Sequence, residues 1–341
     1  MRKKFKILLL FDVPYLTPRG YEFKDEFFND PDWDTEAYAY KALKSSGHQV
    51  SLLGLYNDIT PLLEEVKENR PDVIFNLVEV FAQKTQLDKN VVSLLELIGI
   101  PFTGASSGTL FICNDKALSK KILSYHRIRV PRFYAFFRNH KIWLLKRLRL
   151  PLIVKPLCEE ASRGISLASV VDSEAGLIER VKFIHENMNM DAIAEEYITG
   201  RELYVSMMGN KRIKILPLRE MKFGKFPDDE PQIATYKAKW DNDYREKWGI
   251  KNMFAGKLPQ GLEKGITDVF KRAYRVLNMG GYARFDIRVT PDARIYILEA
   301  NANPSLNRDD EFSEAAKKAG IPYPKLLEKI VSYAFQRHSS V

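Results

Sequence analysis

Acidic and amide side chains near the end of the chain have the spacing of a metal-binding hairpin. Alternate side chains of a strand face opposite sides, so Arg284 and Asp286 share one face of the segment Arg284-Phe-Asp-Ile-Arg-Val289. Glu299 and Asn301 share one face at the end of the next predicted strand. If the two strands pair, Asp286, Glu299 and Asn301 converge, and oxygen ligands of this kind suit Mg²⁺. The alternative is the polar outer face of an ordinary hairpin.

Two lysines and a loop of small residues have the chemistry of a phosphate-binding site. Lys155 ends a predicted strand, and Lys116 lies in the first turn of a predicted helix. An ammonium group suits phosphate, although a solvated surface lysine is the usual alternative. The loop with Ala161, Ser162 and Gly164 could bring backbone N–H groups close to phosphates. Both Gly-x-x-x-x-Gly-Lys-Ser/Thr and Gly-x-Gly-x-x-Gly are absent from the sequence, so any nucleotide-binding fold is of another kind.

The elements that position these residues alternate between strand and helix in the first third of the chain. Strands are predicted over residues 6–11, 49–55 and 73–76, and helices over 34–46, 59–69 and 87–98. This alternation predicts a parallel sheet with helices on its faces and ligands at the carboxyl ends of its strands. Later strands are predicted over 152–155, 192–197, 203–208, 213–218, 282–289 and 294–299, and later helices over 115–126, 173–187, 262–278, 311–319 and 323–336. Residues 219–260 have weak periodicity, which is typical of a lid or a disordered loop.

Composition and charge narrow the classes of protein. The 341 residues suggest two or three structural units, and 45% hydrophobic with 28% charged residues are ordinary globular values. The net charge of +9 would suit a polyanion, but no compact basic block stands out, which argues against a nucleic-acid partner. Two cysteines, and five histidines without close spacing, exclude a disulfide scaffold and a four-cysteine zinc site. The apolar run at residues 7–11 is too short for a signal peptide and no run would span a membrane, so we expect a cytoplasmic protein without a membrane partner.

Six short segments occur in an order that is specific, although each segment is weak alone. They are Gly99-Ile-Pro-Phe-Thr-Gly104, Asn114-Asp-Lys116 with Ser119-Lys120, Leu152-Ile-Val-Lys-Pro156, Glu195-Glu-Tyr-Ile-Thr-Gly-Arg-Glu202, Ala283-Arg-Phe-Asp286 and Leu298-Glu-Ala-Asn-Ala-Asn-Pro304. In this order they resemble the ATP-grasp superfamily, most closely its D-alanine–D-alanine ligase group, over residues 70–335. The resemblance implies an α/β and α+β ATP-grasp fold. Its expected units are an N-terminal parallel-sheet domain at 1–104, a central lobe at 105–190 and a C-terminal lobe at 191–341 with a lid near 219–256.

The resemblance also implies which residues bind ATP. The phosphates would contact Lys116 and Lys155 from two sides, with Ser162 in the phosphate loop. Adenine would lie against a hinge strand, and the ribose hydroxyls would bind an acid that follows it. The hinge residues are Glu195, Glu196 and Ile198, and the ribose ligand is Glu202.

Metal ions and the reaction follow from the same resemblance. Two Mg²⁺ ions, with Mn²⁺ as an alternative, would bind Asp286, Glu299 and Asn301. Lys239 would approach the γ-phosphate from the lid, and Arg284 would stabilise the oxyanion of a tetrahedral intermediate. ATP-grasp ligases phosphorylate a carboxylate, and an amine then displaces the phosphate. Phosphoryl transfer needs positioning and charge neutralisation, and a lid would keep water away from the acylphosphate.

The segments that would contact the substrates depart from the D-alanine ligase pattern. The family's first glutamate segment is replaced by residues 12–20, and its His-Gly stretch by residues 76–82. Its glycine/serine-rich phosphate loop is replaced by residues 159–164. Ser305 stands where the family has a glycine whose N–H binds the oxyanion. Asp310 and Glu311 stand where a serine-leucine pair grips the acceptor carboxylate. Two acids would repel a carboxylate and could attract an amine or another cation.

These departures predict a carboxylate–amine ligase whose specificity differs from that of D-alanine ligases. Its partners would be a small-molecule carboxylate and an amine, and a homodimer is expected from related ligases. The candidate substrate contacts are Arg19, Glu79, Asp310 and Glu311, each of which could instead be a solvated surface charge. The alternatives are an authentic D-alanine–D-alanine ligase and a nucleotide-binding protein without ligase activity.

Overall fold

Three β-sheets form the framework of the residues that the computed structural model describes, which are 3–17, 21–23, 30–159, 162–227, 230–259 and 261–339. The first sheet is parallel, with β1 (Lys6–Asp12) between β2 (Gln49–Leu55) and β3 (Val73–Asn76). Its helices are α1 (Asp34–Ser45), α2 (Thr60–Asn69) and α3 (Asp88–Ile98). The elements predicted for the first third of the chain are confirmed.

The second sheet is antiparallel and lies in the middle of the chain. Its strand order is β4-β7-β5-β6, with β4 at Phe133–Phe136, β5 at Leu152–Pro156, β6 at Val170–Val171 and β7 at Ala192–Glu196. The helices α4 (Ser107–Asn114) and α5 (Lys116–Tyr125) precede it, and α6 (Glu174–Asn187) packs on it. Because β7 pairs with β4 and β5, this sheet continues to Glu196, past the lobe boundary expected at residue 190.

The third sheet is antiparallel and carries most of the predicted site. Its order is β11-β10-β8-β12-β13, and β9 also pairs with β8. The strands are β8 (Arg201–Met208), β9 (Lys214–Ile215), β10 (Arg219–Phe223), β11 (Ile250–Phe254), β12 (Tyr282–Val289) and β13 (Ile295–Asn301). Helix α9 (Leu262–Val276) buries Phe270 and Ala273 in the same core cluster as Phe285 of β12. The strands predicted at 203–208 and 213–218 pair with each other as β8 and β9.

The segment with weak periodicity is folded, so the expectation of an irregular region at 219–260 is wrong. The strands β10 and β11 pair at the edge of the third sheet, and α7 (Tyr236–Trp240) and α8 (Asn242–Trp248) lie between them in the chain. The sequence pattern conceals β10 because its buried residues include Arg219 and Glu220. Each is ion-paired, Arg219 with Glu311 at 2.8 Å and Glu220 with Arg201 at 2.7 Å. A lid role for α7 stays a prediction.

The N-terminal sheet shares its hydrophobic core with the C-terminal helices α10 (Glu311–Lys318) and α11 (Tyr323–His338). Leu9 and Phe11 of β1 lie in one buried cluster with Phe312 of α10 and Ile330 of α11. Arg337 of α11 donates a hydrogen bond to the carbonyl oxygen of Phe102 at 2.9 Å. The unit expected at 1–104 therefore does not enclose its own core. Among the helices described, none is long and apolar enough to cross a bilayer.

Candidate active site

Two neighbouring cavities border the third sheet, and the smaller of them lies between the second and third sheets. The smaller, of about 70 Å³, is lined by Lys155 and Glu195 of the second sheet and by Glu202 and Asp286 of the third. The larger, of about 260 Å³, is lined by Glu79, Arg284, Asn301 and Asp310 among others. Lys239 and Glu299 line both cavities. The two cavities therefore meet at one ammonium group and one carboxylate.

The pairing of β12 with β13 brings the candidate metal ligands together. Asp286 lies opposite Glu299 in the antiparallel register, and Arg284 lies opposite Asn301. The Asn301 amide donates from Nδ2 to Asp286 Oδ1 at 3.2 Å, which leaves Asn301 Oδ1 as a further oxygen donor. The predicted convergence of the three side chains is confirmed, and metal binding by them stays a prediction.

The negative charges of Asp286 and Glu299 are each paired with a basic side chain of the protein. Arg284 forms two hydrogen bonds with Asp286, at 2.7 and 3.1 Å. Lys116 Nζ lies 2.9 Å from Glu299 Oε1. Burial alone would raise the pKa of Glu299, but the ammonium groups of Lys116, Lys155 and Lys239 outweigh it and hold that pKa well below its usual range. Glu299 is therefore ionised near neutral pH, as a metal ligand must be.

The donor set fits a magnesium ion. It consists of two carboxylates and one amide, all hard oxygen donors, on two neighbouring strands. Within the described ranges no three or more His, Cys, Asp and Glu side chains cluster in a way that could hold a metal. A set this small suits Mg²⁺, which keeps several waters and binds phosphate oxygens beside one or two carboxylates.

A buried ion-pair group borders the smaller cavity. Lys155 Nζ donates a hydrogen bond of 3.0 Å to Glu195 Oε2, and Lys120 Nζ lies 3.1 Å from Glu195 Oε1. Burial would raise the pKa of Glu195, but Lys120 and Lys155 lower it below its usual value. The side chain of Glu195 is thus engaged with two lysines, and the implied contact of the hinge strand with adenine, partly through backbone groups, stays a prediction. Lys120 received no role from the sequence, although it follows Lys116 by four residues and so shares a helix face with it.

The candidate ribose ligand is held by an arginine that the sequence did not identify. Arg288 donates to Glu202 Oε2 at 2.7 Å and to the carbonyl oxygen of Gly200 at 2.8 Å. Gly200 has φ +149°, and a Cβ there would lie 2.2 Å from the carbonyl oxygen of Val289, so glycine is required at this crossing. Glu196 and Ile198 line the same small cavity as Glu202.

The candidate phosphate loop is described in part, and one of its residues lies at the small cavity. Ser162 lines this cavity and has φ +59°, and Gly164 has φ +72°. The residues between Glu159 and Ser162 lie outside the described part of the chain. Lys116 Nζ donates to the carbonyl oxygen of Glu159, so the start of this loop is tied to the lysine that contacts Glu299.

The candidate substrate contacts separate into different environments. Glu79 and Asp310 line the larger cavity. Glu311 also lines it, but this carboxylate is bound by Arg219 at 2.8 Å and by the amide of Asn252. Glu311 therefore anchors β10 and β11, and most of its charge is balanced. Arg19 lies outside the described residues.

Two acidic residues that were not predicted as substrate contacts lie close to Glu79. Desolvation in the cavity, together with the charges of Asp12 and Glu36, raises the pKa of Glu79 to about 7. Glu36 is raised to a pKa of about 7 by burial and by Asp12. Asp12 accepts the backbone N–H of Glu79 at 2.7 Å, which places the end of β1 beside this side chain. Carboxylates that repel one another in this way favour a cation in the cavity.

Glu79→Gln is expected to stabilise the protein at high pH only. The pKa of Glu79 lies above its ordinary value of 4.5 in the folded state, so stability falls as pH rises from about 4.5 through about 7. The amide removes this repulsion, which solvent partly screens because Glu79 is exposed, so the variant should melt only about 1 °C above the wild type near pH 8 and equal it near pH 4. Thermal melts at both pH values measure the difference. Glu179→Gln, on an exposed position of α6, is the matched control, and an equal shift at both pH values would contradict the account.

Comparisons with known proteins identify the fold and the family. A family model described as D-ala D-ala ligase C-terminus matches residues 123–332. A D-alanine–D-alanine ligase of Moorella thermoacetica is 27% identical over 304 residues, covering 86% of this chain and 91% of the relative. A Sinorhizobium fredii protein named as uncharacterised is 29% identical over 302 residues, covering 87% of this chain and 86% of the relative. The solved D-alanine–D-alanine ligase of Bacillus anthracis complexed with ATP has a TM-score of 0.74 at 21% identity, covering 98% of this chain and 99% of that one.

These similarities, the ATP-grasp fold and the paired cavities define an ATP-dependent, ADP-forming C–N ligase. More narrowly, the chain belongs to the D-alanine–D-alanine ligase family, whose C-terminal model covers more than half of its length.

Proposed function

We propose that this protein joins a carboxylate to an amine through an acylphosphate, with an acceptor amine other than D-alanine. The observation that carries the ligase proposal is that Lys239 and Glu299 line both cavities. ATP in the smaller cavity and a carboxylate in the larger would meet at these two side chains. The names of the relatives and the ATP in the Bacillus anthracis structure support the same reaction class.

The residues of the smaller cavity would hold the nucleotide. Lys155 lines this cavity with Ser162, and Lys116 lies outside the lining but contacts Glu299, which lines it. Both lysines would contact phosphate oxygens, because ammonium groups balance phosphate charge. The base would lie along Glu196 and Ile198, and Glu202, oriented by Arg288, would accept hydrogen bonds from ribose hydroxyls. We expect the described C-terminal and central sheets to act as the two lobes of this clamp.

Phosphoryl transfer would take place at the junction of the two cavities. Asp286, Glu299 and Asn301 would hold two Mg²⁺ ions, or Mn²⁺, which when bound neutralise charge on the transferred phosphoryl group. Lys239, carried by α7, would contact the γ-phosphate from the opposite side. Arg284 faces the larger cavity and would stabilise the oxyanion that forms when the amine attacks the acylphosphate.

The lining of the larger cavity favours an acceptor amine that carries a further positive charge or lacks a carboxylate. Glu79 and Asp310 line this cavity, and Asp12 and Glu36 lie outside its lining but close enough to raise the pKa of Glu79. D-alanine as an acceptor would bring its carboxylate toward Asp310, where D-alanine ligases have a serine-leucine pair. A basic amino acid, its amide or a diamine would instead neutralise these carboxylates.

ADP release by the purified protein tests this specificity. The assay contains Mg²⁺-ATP, a panel of amino acids as carboxylate substrates and a second panel of acceptor amines. We expect acceptors that carry a further positive charge, or that lack a carboxylate, to exceed D-alanine by at least about tenfold in kcat/KM. Asp310→Asn should reduce that preference, and Glu314→Gln on the same helix serves as its control. Efficient turnover of D-alanine alone would support the second candidate, an authentic D-alanine–D-alanine ligase, which the names of the relatives favour. ATP binding without ADP release under any condition would support a binder without ligase activity.

A further inference from the structure

We propose that Lys120 is a positioning residue that sets the positive charge presented to the nucleotide phosphates. The inference rests on the proposed binding of ATP in the smaller cavity, and it assigns a role to a lysine that does not itself line either cavity. Lys120 would act through Glu195 upon Lys155.

The geometry places Lys120 behind the phosphate-facing lysine. Lys120 is 2% exposed and Glu195 is 0% exposed, so solvent screens their charges little. One oxygen of Glu195 lies 3.1 Å from Lys120 and the other lies 3.0 Å from Lys155. Lys155 and Glu195 both line the small cavity, so the ion-pair group ends at the site where the phosphates would bind.

The charge balance of this group explains why a second lysine is needed. Glu195 fixes the position of Lys155, but a carboxylate alone would cancel the ammonium charge that attracts phosphate. Lys120 restores a net charge of one, because two ammonium groups then surround one carboxylate. Burying three charged groups is costly unless they are paired, which a role in orienting Lys155 would justify.

A second contact links Lys120 to the metal-binding strand. Its Nζ donates to the carbonyl oxygen of Leu298 in β13, the residue before Glu299. Lys120 belongs to α5, which follows the N-terminal domain, so a single side chain joins this helix to Glu195 in the second sheet and to β13 in the third. The same ammonium group therefore fixes Lys155 and Glu299 relative to each other.

The binding of ATP and of adenosine to purified variants separates a charge role from general structural support. Lys120→Met removes the charge and leaves an unbranched side chain that is one atom shorter. We expect it to weaken ATP binding by at least about tenfold, while adenosine, which has no phosphates, binds within about twofold of wild type. The control Lys121→Met removes the same charge from an exposed position of α5 and should leave both affinities unchanged.

The double variant gives the most specific outcome. In the double variant Lys120→Met with Glu195→Gln, only Lys155 of the three groups is charged, so their net charge is again one. The double variant should therefore bind ATP more tightly than Lys120→Met alone. Equal loss of ATP and adenosine binding in Lys120→Met, unchanged ATP binding in it, or no recovery in the double variant would overturn the proposal. Absence of ATP binding by the wild type would instead overturn the proposed function on which it rests.

Discussion

Glu299→Gln should lower kcat for ligation by about 10³-fold, the largest effect expected from one substitution in this protein. Glu299 is the carboxylate that lines both cavities, and its low pKa keeps it ionised as a ligand. The amide retains the size of the side chain and loses the charge that would hold Mg²⁺ beside the phosphates. Lys116, 2.9 Å away, would also lose its counterion. Steady-state ADP release at saturating ATP, with the best substrates from the panel, measures the loss.

The pattern of the loss distinguishes metal binding from damage to the fold. A Glu299→Gln protein with an impaired metal site should recover part of its activity when the Mg²⁺ concentration is raised, and its melting temperature should stay close to that of the wild type. Glu179→Gln, on an exposed position of α6, should behave as wild type in both measurements. Full activity of Glu299→Gln at limiting Mg²⁺ would contradict the role assigned to this carboxylate.

Arg284→Met is expected to lower kcat by about 10²–10³-fold with little change in the KM for ATP. The guanidinium lines the larger cavity only, binds Asp286 through two hydrogen bonds and lies 5.3 Å from the centre of the Tyr204 ring. Burial alone would lower the pKa of Arg284, but the neighbouring Asp286 carboxylate holds that pKa well above the ordinary value for arginine. The guanidinium therefore stays positively charged. Single-turnover formation of product from enzyme-bound ATP and carboxylate reports on the amine attack directly.

Arg284→Lys supplies the matched comparison. Lysine keeps the positive charge but cannot form the paired hydrogen bonds that orient the guanidinium on Asp286, so we expect it to recover only a small part of the lost rate. A rise in the KM for ATP without a fall in kcat would place Arg284 in nucleotide binding and would contradict a role at the oxyanion.

The sequence predicts those parts of the fold and site that follow from local patterns. Alternation along residues 282–289 and 295–301 places Asp286 and Glu299 on one face, and the antiparallel register brings them opposite each other. Strands β1 and β3 of the first sheet are buried and mostly apolar, which is typical of a parallel sheet covered on both faces. Lys155, predicted at the end of a strand, is the second-last residue of β5 and lines the small cavity.

The parts that sequence patterns could not supply depend on contacts between distant residues. Strand β10 has a polar sequence whose buried Arg219 is neutralised by Glu311, 92 residues later in the chain. Asp12 and Glu36 were not candidate site residues. Asp12 ends β1 and so lies beside Glu79, which follows the neighbouring strand β3, but only tertiary packing brings Glu36 of α1 near them. Lys120 resembles any helix lysine in sequence, and its burial against Glu195 follows from the approach of α5 to β7. Similarly, the shared core of β1 and α11 has no local signal.

Metal binding to the purified protein with a non-hydrolysable ATP analogue tests the central claim most directly, because it requires no knowledge of the substrates. Mn²⁺ titration followed by electron paramagnetic resonance should give two bound ions per chain in the wild type. Asp286→Asn and Glu299→Gln should each weaken at least one ion by about tenfold or more, and Glu179→Gln should bind as wild type does. Equal Mn²⁺ affinity in the wild type and in both site variants would contradict the account.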